Sequence, residues 1–219
     1  MPWALREDLC MELSESALAE QSLLQSLPLR CATPAAWARA ALKDPDALLN
    51  DHAHLEKKAA SNALELLCRW PDAQPPSGWL RALTSIAAEE AEHLRIVSGL
   101  LLQRGHPMAR HHRNEYAGKL HSSIRRGEGR KELADRMYVA GLIEARSCER
   151  FILLAREAQD ELADLYRDFL GSEVGHFHAF FRMARQIHED RTDEWLDLEA
   201  AVVSELDFFP GILSGFRGL

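Results

Sequence analysis

The amino-acid sequence predicts an all-α fold built around a bundle of four long helices. Apolar residues make up 47% of the 219 positions and charged residues 27%, with only 12 Gly and 9 Pro, a composition typical of helical globular proteins. Apolar residues recur at helical spacing along four long segments, and no segment alternates as a β-strand does. Short connections join these segments into two pairs, and a link of about 25 residues joins the pairs.

The four bundle helices are bounded by recognisable start and stop signals. Ser77 follows two prolines and is expected to be the N-cap of the second bundle helix. That helix is expected to end at Gly105, with Pro107 just beyond. Two hairpins with a long crossover between the second and third helices form a ferritin-like four-helix bundle. The bundle helices are predicted over residues 45–70, 77–104, 130–158 and 160–188.

Flanking helices complete a chain that is expected to be a single domain over 1–219. Thr33 and Thr192 are predicted to be the N-caps of two of them, because a threonine side chain can accept a hydrogen bond from the first turn. The further segments are an N-terminal extension over 1–33 with a helix at 5–27, a short helix at 34–42, a C-terminal helix at 193–206 within 192–219, and an unassigned tail at 208–219.

Composition also limits the function classes. Neither a basic leader with an apolar run nor a stretch of 18 apolar residues occurs, so the sequence predicts a cytoplasmic protein without a membrane partner. The four cysteines show no CxxC spacing and are expected to be reduced thiols: Cys10, Cys31, Cys68 and Cys148. A net charge of −8 argues against wholesale coating of nucleic acid.

The long crossover is basic although the whole chain is acidic. Between Arg104 and Lys131 there are eight Lys or Arg residues and two Glu residues. This segment is therefore the candidate for contacts to RNA phosphates, with a solvated, charge-balancing loop as the alternative. The candidate RNA-binding residues are Arg110, Arg113, Lys119, Arg125, Arg126, Arg130 and Lys131.

Each bundle helix has an inward seam, a row of residues that alternate by three and four positions. The seams are apolar at both ends and turn to Glu, or to Glu and His, near the middle. A Glu and a His three residues apart project from one face of a helix, so the second and fourth helices can each offer both to one site. The six mid-seam side chains are Glu56, Glu90, His93, Glu144, Glu173 and His176.

These six side chains predict a dinuclear metal centre. Four carboxylates in an apolar interior would each carry a desolvation penalty of roughly several kcal/mol unless they bind protons or cations. Four Glu and two His, with Glu-x-x-His on two helices, are the ligand set of a carboxylate-bridged di-iron site, and manganese is possible. The expected assignment is Glu56 and His93 on one metal, Glu144 and His176 on the other, with Glu90 and Glu173 bridging.

Other polar residues near the seams are given different roles. His52, one turn before Glu56, is expected to be a core histidine, with a ligand or an outer hydrogen-bond donor as alternatives. Ala140 and Ser147 either leave room for a substrate or dioxygen beside Glu144 or are close-packing positions. Glu149 is the alternative to Glu144 if the third seam is rotated. His54 and His178 point off the seams and are expected at the surface. Glu89 and Glu92 flank the second-helix site and are expected to form a solvated face, and Glu149 is expected to point elsewhere.

The chain also resembles a known family, the MiaE-type tRNA hydroxylases. The similarity extends from about Thr33 to His188, whereas residues 1–28 have no clear counterpart and Val174-Gly175 replaces a bulkier or charged pair. The motifs that carry the resemblance are Asp51–Ala60, Gly141–Phe151 and Ser172–Phe177.

The resemblance implies a non-haem di-iron monooxygenase that hydroxylates the isopentenyl side chain of 2-methylthio-isopentenyladenosine next to the tRNA anticodon. Matching the motifs carries over the same six ligands, two iron ions and O2 as co-substrate. The partners would be a tRNA anticodon stem-loop and an external reductase, since no flavin or nicotinamide fingerprint occurs here. Tyr116 or a crossover histidine would stack on an anticodon-loop base.

Two other functions remain open at this stage. A ferritin-like ferroxidase or peroxide-handling protein would use the same metals without an organic substrate. A metal-free helical adaptor would use the basic crossover to bind RNA or an acidic protein. Metal content and tRNA nucleoside analysis distinguish the three.

Overall fold

A computed structural model describes residues 17–217 and 219, and this part contains eight helices and no strand. The all-α prediction is confirmed. The N-terminal helix predicted at 5–27 is observed from 17, and residues 1–16 lie outside the described part. The helices are α1 (17–26), α2 (Ala35–Ala41), α3 (Pro45–Leu67), α4 (Ser77–Gln103), α5 (Glu115–Ser122), α6 (Arg130–Glu157), α7 (Glu161–Ile187) and α8 (Thr192–Glu205).

The two predicted hairpins form the bundle. Helix α3 packs along α4, α6 packs along α7, and α4 contacts α7. The crossover between α4 and α6 contains a helix that the sequence analysis missed, α5, which packs on α6 and α8. Its local signal is Asn114, whose side chain accepts a hydrogen bond from Ala117 N at 2.9 Å as an N-cap.

Helix ends agree with the predictions to within three residues. Gly105 has φ +84°, a left-handed value that Gly adopts without strain, and His106 N donates back to Leu101 O at 3.0 Å as α4 ends. The three predicted N-caps are wrong. Ser77 and Thr192 are the first helical residues, and Thr33 instead donates through its N–H and hydroxyl to Glu149.

A buried ion network ties the outer helices to α6. The guanidinium of Arg146 donates two hydrogen bonds to Glu199 at 2.8 and 2.9 Å and a third to Glu149, and none of its side chain is exposed. Tyr116 Oη donates to Glu199 at 3.0 Å. Since these residues come from α5, α6 and α8, and Glu149 holds the segment before α2 through Thr33, the network fixes four parts of the chain around one cation.

A second buried acid anchors the crossover. Asp135 on α6 accepts hydrogen bonds from the backbone N–H and the guanidinium of Arg125 at 2.8–3.0 Å, and from Arg191 at 3.0 Å. The Arg125 side chain, a candidate for RNA contact, is therefore engaged in an internal ion pair. This pair fastens the C-terminal end of the crossover to the bundle.

The C-terminal tail folds back over the bundle. Ile212 N donates to Asp51 Oδ2 at 2.7 Å, and Trp37 Nε1 donates to Ser214 Oγ at 2.7 Å. Gly215 is required where the tail passes α8, since a Cβ there would lie 2.1 Å from Leu206 O. No secondary structure is predicted for this tail from its sequence, and its residues 212–214 are buried.

None of the described helices is long and apolar enough to span a bilayer. Three of the predicted reduced cysteines, Cys31, Cys68 and Cys148, are free thiols, and Cys10 lies outside the described residues.

Candidate metal centre

Six acidic and histidine side chains meet halfway along the four bundle helices. Helices α3 and α6 each contribute one Glu, and α4 and α7 each contribute a Glu and a His three residues apart. All six are buried, with at most 7% of any residue exposed. These are the mid-seam residues of the sequence analysis: Glu56, Glu90, His93, Glu144, Glu173 and His176.

The six side chains form two overlapping groups of four. Within each group, one ligand atom per residue can be chosen so that all lie within 4.8 Å of one another. Glu90 and Glu173 belong to both groups, as carboxylates between two adjacent cations would. The groups are Glu56, Glu90, His93 and Glu173, and Glu90, Glu144, Glu173 and His176.

Both imidazole rings turn Nδ1 toward the carboxylates. His93 Nδ1 lies 3.3 Å from Glu173 Oε1, and His176 Nδ1 lies 2.7 Å from Glu90 Oε1. The Ser172 hydroxyl donates to Phe169 O at 2.8 Å and so can accept from His93 Nε2–H at 3.1 Å. A ring that donates through Nε2 keeps Nδ1 free for a metal.

Glu89 holds the second imidazole in the same way. Its Oε2 lies 2.9 Å from His176 Nε2, although 45% of the Glu89 side chain is exposed. Glu89 is exposed, as a solvated face predicts, but its carboxylate also reaches from α4 across to His176 on α7. Glu92 is also exposed and pairs with Arg95, as expected.

The inward-facing atoms of the cluster lack hydrogen bonds. Among the described residues, none offers a hydrogen bond of good geometry to the buried Nδ1 atoms of both histidines or to one oxygen each of Glu90 and Glu173. The 2.7 Å approach of His176 and Glu90 is therefore a charge contact. Buried polar groups are rarely left in this state, and a pair of divalent cations would satisfy all four atoms.

His52 lies outside both groups but touches one of their members. Its Nε2 is 2.6 Å from Glu56 Oε1, and its fully buried ring packs 5.0 Å from Phe151 and 5.6 Å from Tyr166. Of the roles considered for His52, the geometry agrees with a buried histidine that contacts the Glu56 carboxylate from outside the two groups.

His54 was expected to be at the surface, and this is wrong. It is 5% exposed, because the crossover folds back over this part of α3. His54 Nε2 lies 2.8 Å from Ala109 O, and the ring stacks on His112 with centroids 4.6 Å apart. His178 is exposed as expected, and Glu149 points into the Arg146 network instead of the metal cluster.

In the metal-free protein, protons compensate the buried carboxylates. Burial and the charge of Glu173 raise the pKa of Glu90 to about 8, and burial with the charges of Glu90 and Glu173 raises the pKa of Glu144 well above its usual range. Burial opposes protonation of the histidines, but the surrounding carboxylates outweigh it and raise the pKa of His93 to about 12 and of His176 to about 9. Glu90, His93 and His176 therefore carry a proton near neutral pH, and the pKa of Glu144 is shifted in the direction that favours its neutral form.

Metal binding should release those protons. At pH 7, which lies below the raised pKa values of Glu90, His93 and His176, we expect Mn²⁺ loading to release up to three protons per chain from these groups, and the raised pKa of Glu144 adds to the release. Affinity should rise between pH 6 and 9, because proton competition weakens as the pH passes the pKa values of Glu90 and His176. Calorimetry in buffers of different ionisation enthalpy measures the release, and binding without proton release would contradict the assignment.

A cavity of about 100 Å³ leads to the carboxylates. Its inner wall includes Glu56, Glu90, Glu144 and Glu173, and Ala140 and Ser147 leave the space beside Glu144. Leu213 closes one side, so the C-terminal tail is part of the wall. Four polar residues also line it, two from α3, the N-cap residue of α5 and one residue within α5: Lys58, Asn62, Asn114 and His121.

The crossover passes this cavity and is fastened beside it. Lys58 Nζ lies 2.8 Å from His112 Nδ1, and His112 Nε2 lies 2.7 Å from the buried Asp51, which also holds the tail through Ile212 N. Sequence reasoning missed this cluster, because its members are far apart in the chain and show no periodic pattern.

The basic crossover residues differ in solvent exposure and in whether they form ion pairs with other described residues. Arg110 and Arg126 are exposed and form no ion pair with a described residue, and 86% of the Arg113 side chain is exposed beside Glu115. Lys119, Arg130 and Lys131 pair with Glu205, Asp72 and Glu128 at the surface. Tyr116 is 1% exposed, so the expectation that it stacks on a base is wrong; its ring packs inside and its hydroxyl is bound to Glu199.

Comparisons with known proteins place these features in a family. The family model described as tRNA-(MS[2]IO[6]A)-hydroxylase (MiaE) matches residues 22–212. A curated tRNA 2-(methylsulfanyl)-N(6)-isopentenyladenosine(37) hydroxylase from Pseudomonas putida is 36% identical, with 74% of this chain and 77% of that protein covered. The protein of the same name from Salmonella typhimurium is 29% identical, with 73% and 76% covered.

A solved structure supports the fold. It is described as protein 43 with aldehyde deformylating oxygenase activity, from Synechococcus, and it matches with a TM-score of 0.77 at 33% identity, covering 85% of this chain and 96% of that one. The ferritin-like architecture is confirmed, and a buried Glu and His cluster compatible with metal binding lies at its centre. With a family model that spans nearly the whole described chain, the protein belongs to the MiaE family of tRNA hydroxylases.

Proposed function

We propose that this protein is an O2-dependent di-iron monooxygenase that hydroxylates the isopentenyl side chain of 2-methylthio-N6-isopentenyladenosine next to the tRNA anticodon. One observation carries the proposal. In a member of a tRNA hydroxylase family, two groups of four side chains share Glu90 and Glu173, and the four carboxylates of these groups line a small cavity that also has apolar lining residues.

The proposed iron sites follow the two groups. Oxygen-rich ligand sets with one imidazole per metal suit iron, and manganese fits the same donors. The membership of the groups supports Glu56 and His93 as ligands of one ion, Glu144 and His176 as ligands of the other, and Glu90 and Glu173 as bridges.

The protein's own residues have positioning roles in this reaction. When bound, the irons would supply reductive activation of O2: one oxygen atom enters a C–H bond of the substrate, and the other leaves as water with two electrons from a donor and two protons from solvent. Ser172 and Glu89 hold the imidazoles in one tautomer. Leu55, Ile143 and Leu213 form apolar walls that exclude water from a hydrocarbon group beside the carboxylates.

The proposed partners follow from the substrate and the electron count. The tRNA would bring its anticodon stem-loop to the cavity mouth, and a separate reductase would deliver the electrons. A cytoplasmic location agrees with a tRNA substrate.

The direct test is an assay with defined components. Protein loaded with ferrous iron should convert a synthetic anticodon stem-loop carrying 2-methylthio-N6-isopentenyladenosine into a product with one additional oxygen atom, detected by mass spectrometry of the nucleosides. The conversion should require both O2 and a reductant. Iron oxidation without any nucleoside product would favour a ferroxidase and contradict the proposal.

An aldehyde substrate is the second candidate, because the Synechococcus relative is described by such an activity. The polar residues of the cavity, Lys58, Asn62 and Asn114, favour a substrate with a polar portion outside a short apolar one. Supplying short aliphatic aldehydes in place of the stem-loop, with formate as the product measured, separates the two candidates.

The exposed part of the crossover should provide the phosphate contacts. We expect replacement of Arg110, Arg113 and Arg126 by Gln to weaken stem-loop binding and to reduce the slope of log affinity against log salt by about two, since each lost phosphate contact removes roughly 0.7–0.9 from the slope. Anisotropy titrations at several salt concentrations measure this.

The matched control replaces three exposed arginines that are neither in the crossover nor at the cavity: Arg39, Arg81 and Arg95. The control should keep the wild-type slope. Equal slopes for all three proteins would remove the crossover from the RNA interface.

A further inference from the structure

Asn114 lines the cavity, and one of its two side-chain polar atoms is hydrogen-bonded whereas the other has no partner among the described residues. It is the N-cap of α5, and its Oδ1 accepts from Ala117 N at 2.9 Å. That hydrogen bond fixes the orientation of the amide, because only the oxygen can accept. The Nδ2 atom is therefore the one that can donate a hydrogen bond to another partner.

This amide nitrogen is a buried donor without an acceptor. Asn114 Nδ2 is inaccessible to solvent and makes no hydrogen bond to residues 17–217 or 219. Ser would cap the helix about as well and would place no N–H at this buried position. Since an unpaired buried donor destabilises a protein, the cap alone does not account for an amide at this position.

The position of Asn114 suggests what the donor binds. Asn114 lines the same cavity as the four carboxylates, on the wall formed by the crossover, whereas the carboxylates come from the bundle helices. A hydrocarbon group that reaches the carboxylates leaves the ring that bears it near the polar lining residues. In the proposed substrate that ring is adenine, whose ring nitrogens next to N6 accept hydrogen bonds.

We propose that Asn114 Nδ2 donates a hydrogen bond to a ring nitrogen of the target adenine and thereby selects the base whose N6 side chain enters the cavity. This inference rests on the proposed function. Bases of an anticodon loop can be unstacked and read on their edges, so such a contact is available to a loop nucleotide. Asn114 is then a substrate-binding residue contributed by the crossover, and the helix that it caps sets the position of its amide.

The test compares two cap-preserving variants, Asn114→Ser and Asn114→Asp, with wild type. Stem-loops carry the parent nucleoside or its 7-deaza or 1-deaza analogue, each of which lacks one ring acceptor. Binding to metal-free protein is measured by anisotropy, and hydroxylation by iron-loaded protein is measured separately. Thermal unfolding of each variant shows whether the α5 cap is intact.

Wild type should bind one of the two analogues about tenfold more weakly than the parent. Asn114→Ser should bind the parent about tenfold more weakly and lose that discrimination, and Asn114→Asp, which lacks the donor, should discriminate no better. Wild type that binds both analogues as tightly as the parent would overturn the inference, as would Asn114→Ser with unchanged discrimination. Failure of wild type to hydroxylate the parent stem-loop would instead overturn the proposed function.

Discussion

Replacing Glu144 by Gln is expected to weaken binding of one of the two metal ions by more than about 100-fold and to abolish hydroxylation at ordinary iron concentrations. Changes to groups that only support a ligand cost 10–100-fold in affinity, and loss of the ligand itself should exceed that range. Glu144 belongs to only one of the two ligand groups, so the other metal should still bind. Metal analysis after desalting should fall from about two ions per chain to about one.

The same variant should leave the metal-free protein folded. Burial raises the pKa of Glu144 well above its usual range, so the metal-free wild type holds it as a neutral acid and Gln is a close substitute. The thermal midpoint without metal should therefore change little, whereas the rise in midpoint on adding metal should shrink.

Exposed Glu92→Gln on α4 is the matched control and should behave as wild type, because Glu92 contacts Arg95 outside the site. A Glu144→Gln protein that retains both metals and full activity would contradict the assignment of Glu144 as a metal ligand.

The largest effect on stability is expected from Arg146→Met. We predict a loss of about 3–5 kcal/mol in the free energy of unfolding, the range found when one partner of a buried ion pair is removed. The variant leaves Glu199 buried without its cation and Glu149 with only the more distant Arg150 Nε at 3.8 Å, and it removes the hydrogen bond to Cys31 O. Urea unfolding of variant and wild type measures the difference.

Two comparisons test the cause of this loss. Arg95→Met removes an arginine with 71% of its side chain exposed and should change the free energy of unfolding little. Adding Glu199→Gln to Arg146→Met should recover part of the stability, because Glu199 then no longer remains buried as an unpaired charge, while Glu149 keeps Arg150 Nε at 3.8 Å. An Arg146→Met protein as stable as wild type would show that the network is not a stabilising centre.

The six proposed ligands could be found from sequence because they interrupt an otherwise apolar pattern. On α3 and α6 a single Glu stands where the three-and-four spacing requires a buried residue, and on α4 and α7 a Glu and a His stand there together. Helical periodicity determines which face a residue occupies, so four seams with acids near their middles predict one shared site. The structure brings these side chains together, and their identity as metal ligands is tested by the variants above.

The residues that sequence reasoning misjudged lie where non-periodic segments pack on the bundle. His54 was expected at the surface, but the crossover covers it, and Tyr116 was expected to face RNA, but it binds Glu199. Arg125 was a candidate for RNA contact from the sequence, but in the structure it forms an ion pair with the buried Asp135. None of these contacts leaves a local pattern, because each joins residues brought together only by the path of a loop or tail.

By itself, the sequence determined the all-α bundle, the lengths of its four helices and the depth at which carboxylates and histidines are buried. These properties depend on hydrophobic periodicity, which is local to each helix. Only the tertiary structure decided how the crossover and the C-terminal tail close over that centre, with Asn114 and Leu213 in the cavity wall and Asp51 holding both segments. The reason is physical: such closure depends on single hydrogen bonds between residues distant in sequence, and one chain read alone carries no signal for their pairing.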